Sequence, residues 1–337
     1  MERLRLALKR RLRMWARRFA EATFDPRGFT DPLPCLWSKG IARFCDARGS
    51  EDYWSAATES LADGSMFRER YAGARGAVWV RLGTRSRAGL EADLDRFVAF
   101  ALPSIREPFV LVTTDGDVSV PSELRPSTVA ALLASPFLVA WYTQNADGTG
   151  APRIMPFPIG LDLHTPRPFS SPAALVRDLR RLAERRPPLA AQPLKMFTDI
   201  DLNRNSRDRM EAVRMLADCG HVEFQRRRVS QHAIWKRYAS FPFVLSLAGN
   251  GLDCHRTWEA LHLGSIVVTK TSPLDPLFEG LPVVVVDDLA ELRDPSRLPV
   301  WLERCAPLAD PARVWQRLDP AAWMARIRAG AGLPPLR

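Results

Sequence analysis

The chain has 337 residues, 46% hydrophobic and 26% charged, which excludes a disordered protein and suffices for two domains with separate cores. Its five scattered cysteines hold no CxxC pair and its five histidines no HExxH, so neither a zinc site nor a disulfide framework is supported. The formal charge of +10 is uneven: residues 1–20 carry eight basic residues against Glu2, or +7, which leaves +3 for the rest.

In residues 1–24, Leu4, Leu8, Leu12, Trp15 and Phe19 recur at helical spacing in one stripe with arginines around it, which predicts a basic amphipathic helix. Such a helix suits an anionic membrane surface, where each basic residue adds up to about 1 kcal/mol. The alternative is that the stripe packs on the protein itself and the arginines are simply solvated. No apolar stretch reaches transmembrane length, and the leucines are too interrupted by arginines for a signal-peptide core. Glu2 and the lack of serines argue against a mitochondrial presequence. Little basicity remains after residue 20 and no nucleic-acid motif appears, so nucleic acid is not an expected partner. The expected location is cytoplasmic, peripheral at the inner membrane if the helix binds lipid.

Residues 25–165 read as an N-terminal, acceptor-side α/β domain. Strands at 77–82 and 109–113 flank a helix at 90–101, a βαβ unit. The second strand runs into Thr114, Asp115, Gly116 and Asp117. The carboxyl end of a strand is where a catalytic base sits in such domains, and Asp115 is the candidate. A plain turn explains the same residues without function. A third strand at 138–141 ends at Thr143, Gln144 and Asn145. An extended stretch at 156–161 closes with Asp162 and His164, and these groups are expected to face an interdomain cleft.

Residues 166–193, proline-rich at both ends with a helix at 173–185 between, read as a linker. Residues 194–305 read as a C-terminal nucleotide-sugar-binding domain. It opens with a strand at 194–197, a loop at 198–203 and a helix at 204–217. Asn203, Asn205, Arg207 and Arg209 at that helix start are candidate donors toward a diphosphate. Arg214 lies farther along it. The run 225–228 reads as a basic surface. A helix at 230–240 carries Trp235 and Tyr238. The tail, 306–337, is helical and holds Trp315, Trp323 and Ile327.

The stretch 241–288 is the most informative. A buried strand at 241–247 leads into Ala248, Gly249, Asn250 and Gly251, a loop that admits close backbone approach. Asp253 is placed as N-cap of the next helix and Gly264 as its C′ residue. Strands at 265–270 and 281–286 lack alternation, as in a parallel sheet covered on both faces. The helix opens with a charged cluster, Asp253, His255, Arg256 and Glu259, directly after a strand, where ligands and phosphates sit in open α/β sheets, so all four are candidate donor-binding residues. Trp258 and Leu261 fall on the opposite, core face. Cys254 reads as a small buried residue with no catalytic partner.

The run GNGLDCHRTWEALHLGSIVVTKTSPLDPLFEGLPVVVVDD resembles the donor-sugar half of exostosin-like glycosyltransferases. Residues 141–145 followed by 156–161, and the segment 195–209, are similar to the same group. The resemblance implies a GT-B architecture: two Rossmann-like α/β domains facing an interdomain cleft, with a C-terminal helix packed back on the first. It implies that Glu259 binds the donor ribose hydroxyls and that Arg256 lies near the diphosphate. Gly249 and Gly251, with Asn250, would give the phosphate backbone access, and Ser272 and Asp275 would line the sugar pocket. For Arg256 and Glu259 the plain alternative is an i, i+3 surface ion pair worth about 0.3 kcal/mol. For His255 it is a capping or core role.

The expected activity is sugar transfer from a nucleotide-sugar donor, UDP-linked, to a glycan or lipid-linked acceptor. Richness in Arg, Ala and Pro suggests a GC-rich bacterial source and a role in surface polysaccharide assembly. The alternatives are a sugar-nucleotide epimerase or hydrolase on the same scaffold, or an inactive membrane-surface binding protein. No cofactor beyond the co-substrate is expected, and no metal. Asp115–Asp117 and Asp199–Asp201 have the letters of a DxD triplet without its context.

Overall fold

The structure is a computed structural model that describes residues 2–25, 33–55, 61–83, 91–202 and 204–335. Asn203 and the side chains of Leu4, Leu8 and Leu12 lie outside the described residues, so the expectations on them are not addressed.

Helix α1 (Glu2–Thr23) leads the chain. Its stripe does not fully pack on the protein: Trp15 is 73% and Phe19 50% exposed, although Ala20 and Phe24 are buried. Phe19 meets the exposed Phe169 edge-on at 5.4 Å. No described helix is long and apolar enough to cross a membrane.

Short helices α2 (Glu51–Ser55) and α3 (Gly64–Arg70) precede the first sheet. That sheet is wholly parallel, in the order β1 (Gly76–Gly83), β2 (Phe109–Gly116), β3 (Leu138–Thr143), β4 (Ile154–Pro156). Residues 77–82 and 109–115 are buried throughout because helices cover both faces, hence their apolar runs without alternation. Helix α4 (Asp93–Phe100) makes the β1–β2 crossover, burying Leu94 and Phe97 and pinned to β1 by the buried Arg81–Asp93 pair at 2.6 Å. Helix α5 (Pro126–Ala134) joins β2 to β3.

Helix α6 (Pro172–Glu184) is not part of a free linker. It buries Leu175, Val176, Leu179 and Ala183, packing on the helices Gln231–Tyr238 and His255–His262 of the second unit. The second sheet is also parallel, in the order β6 (Val222–Phe224), β5 (Met196–Thr198), β7 (Phe243–Leu245), β8 (Ile266–Lys270), β9 (Val283–Val286). Its helices are α7 (Arg207–Leu216), α8 (Gln231–Tyr238), α9 (His255–His262) and α10 (Arg297–Cys305). Two Rossmann-like sheets, as expected, form the molecule. From β5 the chain turns to one side for β6, then returns to the other side for β7. The strand order therefore reverses between β5 and β7, and loops leaving a reversal point diverge and open a crevice.

The cores are not separate. One apolar cluster runs from Trp79 through Phe157 and Leu161 to Trp258 and Ile327, joining both units. A second lies on the outer face of the second sheet, with Phe243, Leu245, Ile266 and Trp301. Along β7, Phe243 and Leu245 enter the outer cluster and Val244 the shared one, so a continuous apolar strand serves two layers. The tail forms α11 (Pro311–Arg317) and α12 (Pro320–Gly330) and returns to the first unit. Leu36 N donates to Leu318 O at 3.1 Å, Trp323 meets Phe157 edge-on at 5.5 Å, and Arg328 pairs with Asp46 at 2.6 Å.

Candidate functional site

At the β5–β7 reversal, where the strand order places a crevice, the loops that follow those strands come together. Ser206 caps α7, its Oγ accepting from Arg209 N, and its hydroxyl donates to Ala248 O at 2.8 Å. Arg209, 4% exposed, donates through Nε and Nη2 to Leu247 O and through Nη1 to Asn205 Oδ1 at 3.2 Å. Burial works against its charge. Arg207 and Arg214 on the same helix are exposed, as are Arg226, Arg227 and Arg228.

The loop glycines have partners within the chain. A Cβ at Gly249 would sit 2.6 Å from Arg209 Nη2, and one at Gly251 would sit 2.7 Å from Asn145 Nδ2. Both positions exclude a side chain because the protein's own polar groups occupy that space. Asn250 Oδ1 accepts from Asn205 Nδ2, and Asn250 Nδ2 donates to Asp117 Oδ2 at 3.4 Å. Loops after β2, β5 and β7 are thereby tied together.

Asp253 is not the N-cap of α9. Cys254 holds that position without a side-chain cap bond. The Asp253 carboxylate faces the first unit instead, accepting from Ile159 N at 2.7 Å, Trp258 Nε1 at 2.8 Å and Cys254 N at 2.8 Å. Its own N–H donates to Asn145 Oδ1 at 2.9 Å. Burial pushes its carboxyl up to about 7 against those donors. Cys254 Sγ lies 3.2 Å from Arg209 Nη2, and burial raises its thiol, which disfavours the reactive thiolate.

In the first turns of α9, Glu259 is buried and Arg256 partly so, and they are bonded to different partners, not to one another. Arg256 Nε donates to Asp199 Oδ1, and Tyr238 OH donates to Asp199 Oδ2 at 3.1 Å. Burial disfavours the guanidinium charge, but Asp199 and Tyr238 more than offset it. Arg256 Nη1 is buried with no hydrogen-bond partner among the described residues. Glu259 accepts from Gln231 Nε2 at 3.1 Å, and burial pushes its carboxyl up to about 7 while Arg167 pulls it down. Arg167 links Gln231 Oε1 at 3.1 Å to Asp162 Oδ2 at 2.9 Å, so a polar chain runs from Glu259 to the first unit.

That chain ends at Asp162, His164 and His255. His255 Nδ1 lies 2.8 Å from Gly160 O, and its ring is 5.6 Å from that of His164. Burial lowers the His255 pKa. One donor atom from each of the three residues lies within 4.8 Å of the others, the arrangement among the described residues that could hold a metal. The DxD letters do not provide one. Asp115 is paired with Lys39, Asp199 with Arg256, and Asp201 with Arg204.

Asp115 sits at the end of β2 in the left-handed region (φ 64), its N–H donating to Gln144 Oε1 at 3.0 Å. Lys39 Nζ approaches its Oδ2 at 3.3 Å, and both side chains are almost wholly buried. Ser272 and Asp275 bond within their own turn: Asp275 Oδ1 accepts from Ser272 N and Ser272 Oγ from Leu274 N. That turn borders the first unit at Gly148, where a Cβ would lie 3.0 Å from Pro273. Sequence reasoning passed over Lys39, Arg167 and Gln231. The Ser38-Lys39-Gly40 triplet carries a turn signal, but nothing in it indicates a buried lysine.

No protein-family model matches the chain, and no curated protein sequence does. Among solved structures it is similar to an α,α-trehalose-phosphate synthase (UDP-forming) from Burkholderia vietnamiensis, at 14% identity and a TM-score of 0.46, over 91% of this chain and 85% of that one. It is similar to the corresponding enzyme from Burkholderia xenovorans at 12% and 0.44, over 91% and 84%. The one from Burkholderia multivorans stands at 12% and 0.43, over 80% and 73%. Likeness at this level carries no function to the chain, and the architecture rests on the two parallel sheets themselves.

Proposed function

We propose that the protein is a glycosyltransferase of GT-B type that binds a nucleotide sugar in the β5–β7 crevice. The observation that carries this reading is Arg256. Its side chain is 11% exposed and held cationic beside Asp199, with Nη1 buried and without a hydrogen-bond partner among the described residues. An unsatisfied buried donor costs about 1–3 kcal/mol, and a diphosphate oxygen would satisfy it. Glu259, one turn further on, is the group for the ribose hydroxyls. In the reaction the bond from the anomeric carbon to the diphosphate oxygen breaks, and the electron pair leaves with that oxygen. Arg256 would stabilise the departing charge in place of a metal. The acceptor hydroxyl forms the new bond and gives up its proton. Asp115 is the proposed base of an inverting reaction, with Lys39 holding its carboxylate in position.

The proposal includes a UDP-linked donor, a glycan or lipid-linked acceptor and a place in bacterial surface polysaccharide assembly. Membership of the exostosin-like family rests on the 249–288 motif, with the stretches 141–145, 156–161 and 195–209 beside it. A lipid-linked acceptor is supported by the exposed Trp15 and Phe19 on the basic helix α1, which suit an anionic membrane surface.

Calorimetry with UDP, GDP, ADP and TDP tests the donor site. One nucleotide should bind selectively, and Arg256→Met should weaken it by roughly 10- to 100-fold, the value of a charged hydrogen bond. Failure of the native chain to bind any of them would overturn the reading. Product analysis without acceptor separates transfer from epimerisation or hydrolysis.

A further inference from the structure

Asp162 and His164 come from the first unit's closing segment, and His255 from the first turn of α9 in the second. We propose that these three side chains bind a divalent transition-metal ion of the zinc–cobalt class, which would fasten the two units at the edge of the crevice. The inference does not depend on the sugar-transfer reading.

Three features support it. The first is spacing. His164 Nδ1 and Asp162 Oδ1 are 3.5 Å apart. Two ligands roughly 2.0–2.1 Å from one tetrahedral ion stand about 3.3–3.4 Å apart, so this pair is already at ligand separation. The third donor lies within 4.8 Å of both, so ligand separation asks it to close by at most about 1.5 Å.

The second is the orientation of His255. Its Nδ1 is 2.8 Å from Gly160 O, which can only accept. The ring proton is therefore on Nδ1, and Nε2 carries the lone pair. A histidine whose other nitrogen donates to a backbone carbonyl is the usual arrangement of a metal ligand.

The third is the setting of Asp162. Arg167 takes Oδ2 at 2.9 Å, and Thr165 N donates to Oδ1 at 3.1 Å, so the carboxylate plane is fixed before any ion arrives. Two imidazoles and one carboxylate are a donor set for zinc, cobalt or iron rather than for calcium or magnesium, which take all-oxygen shells. Three protein ligands leave a position for water or for an oxygen of a ligand in the cleft.

The test is a Co²⁺ titration of the tag-free chain, followed by visible d–d absorption and by thermal melting. One equivalent should bind, with d–d bands, no thiolate charge-transfer band and a raised melting temperature. His164→Asn and Asp162→Asn should each weaken binding about tenfold or more while the metal-free melting transition stays cooperative. His232→Ala removes a surface His232–Asp178 pair elsewhere and should leave binding unchanged. Absence of saturable binding to the native chain would overturn the proposal. So would equal affinity in the Asp162 and His164 variants, a thiolate band, or loss of binding in His232→Ala. If Asp162→Asn does not fold, His164→Asn decides alone, since its part-buried ring meets Ser38, Asp162 and the His255 ring and is tied to no backbone group by a hydrogen bond among the described residues.

Discussion

Replacing Glu259 by Gln should separate what the carboxyl does for the fold from what it does for a ligand. Burial pushes this group from an ordinary value of 4.5 up to about 7. Below about pH 4.5 both folded and unfolded chains hold the proton, and the group is neutral in its effect. Between pH 4.5 and 7 the unfolded chain releases the proton while the folded one retains it, so stability falls by up to about 3 kcal/mol, and above 7 the penalty is constant. Gln keeps an acceptor for Gln231 Nε2 and carries no charge. Glu259→Gln should match the native melting temperature at pH 4.5 and exceed it at pH 8, by roughly 5 °C. Asp253 titrates in the same direction in both proteins and cancels from the comparison. At pH 8, where the native group is ionised, the variant should bind the nucleoside diphosphate roughly tenfold or more weakly, because an amide offers the ribose one acceptor atom and not two. A melting difference that does not change between pH 4.5 and 8 would refute the buried, protonated carboxyl. A stable variant that binds as tightly as the native chain would remove Glu259 from the donor site.

Gly249→Ala should lose about 1–3 kcal/mol by displacing Arg209, and most of that loss should vanish when Arg209→Ala is already present. Strictly additive denaturation energies would mean that the glycine serves something other than the arginine. Lys39→Met leaves the Asp115 carboxylate buried without its cation and should cost about 3–5 kcal/mol in urea melts; Lys39→Met with Asp115→Leu should recover much of it. No recovery in the double variant would show that the lysine acts through other contacts. Trp15→Ala should reduce flotation with anionic vesicles and leave neutral vesicles unbound, whereas unchanged flotation would take α1 off the membrane.

The inner strands could be read because they are buried on two faces, so the runs in β1 and β2 lose alternation and stand out from polar loops. In β9, Val283–Val286, the apolar run hides an alternating burial in which Val285 is exposed, so that strand is not covered on both faces as expected. The crevice was legible in part for the same reason: a strand, a Gly-rich loop and a helix start follow one another within a few residues. What could not be read depends on distant partners. Asp253 looks like an N-cap from its neighbours, yet its carboxylate is claimed by Ile159, 94 residues away, and its amide by Asn145, 108 away. Gly249 and Gly251 read as room for a ligand, and no local pattern shows that Arg209 and Asn145 stand there. Helix α6 carries a buried stripe, but the prolines on either side signal a linker more strongly than the stripe signals packing.

The return of α12 to the first unit bears on how the protein is made. Asp46, Phe157 and Leu36 emerge from the ribosome long before their partners Arg328, Trp323 and Leu318. Until those last residues are synthesised, the first unit waits with part of its shared core uncovered. A nascent chain in that state exposes apolar surface that favours aggregation, and a chain cut before α12 would be expected to keep that surface uncovered.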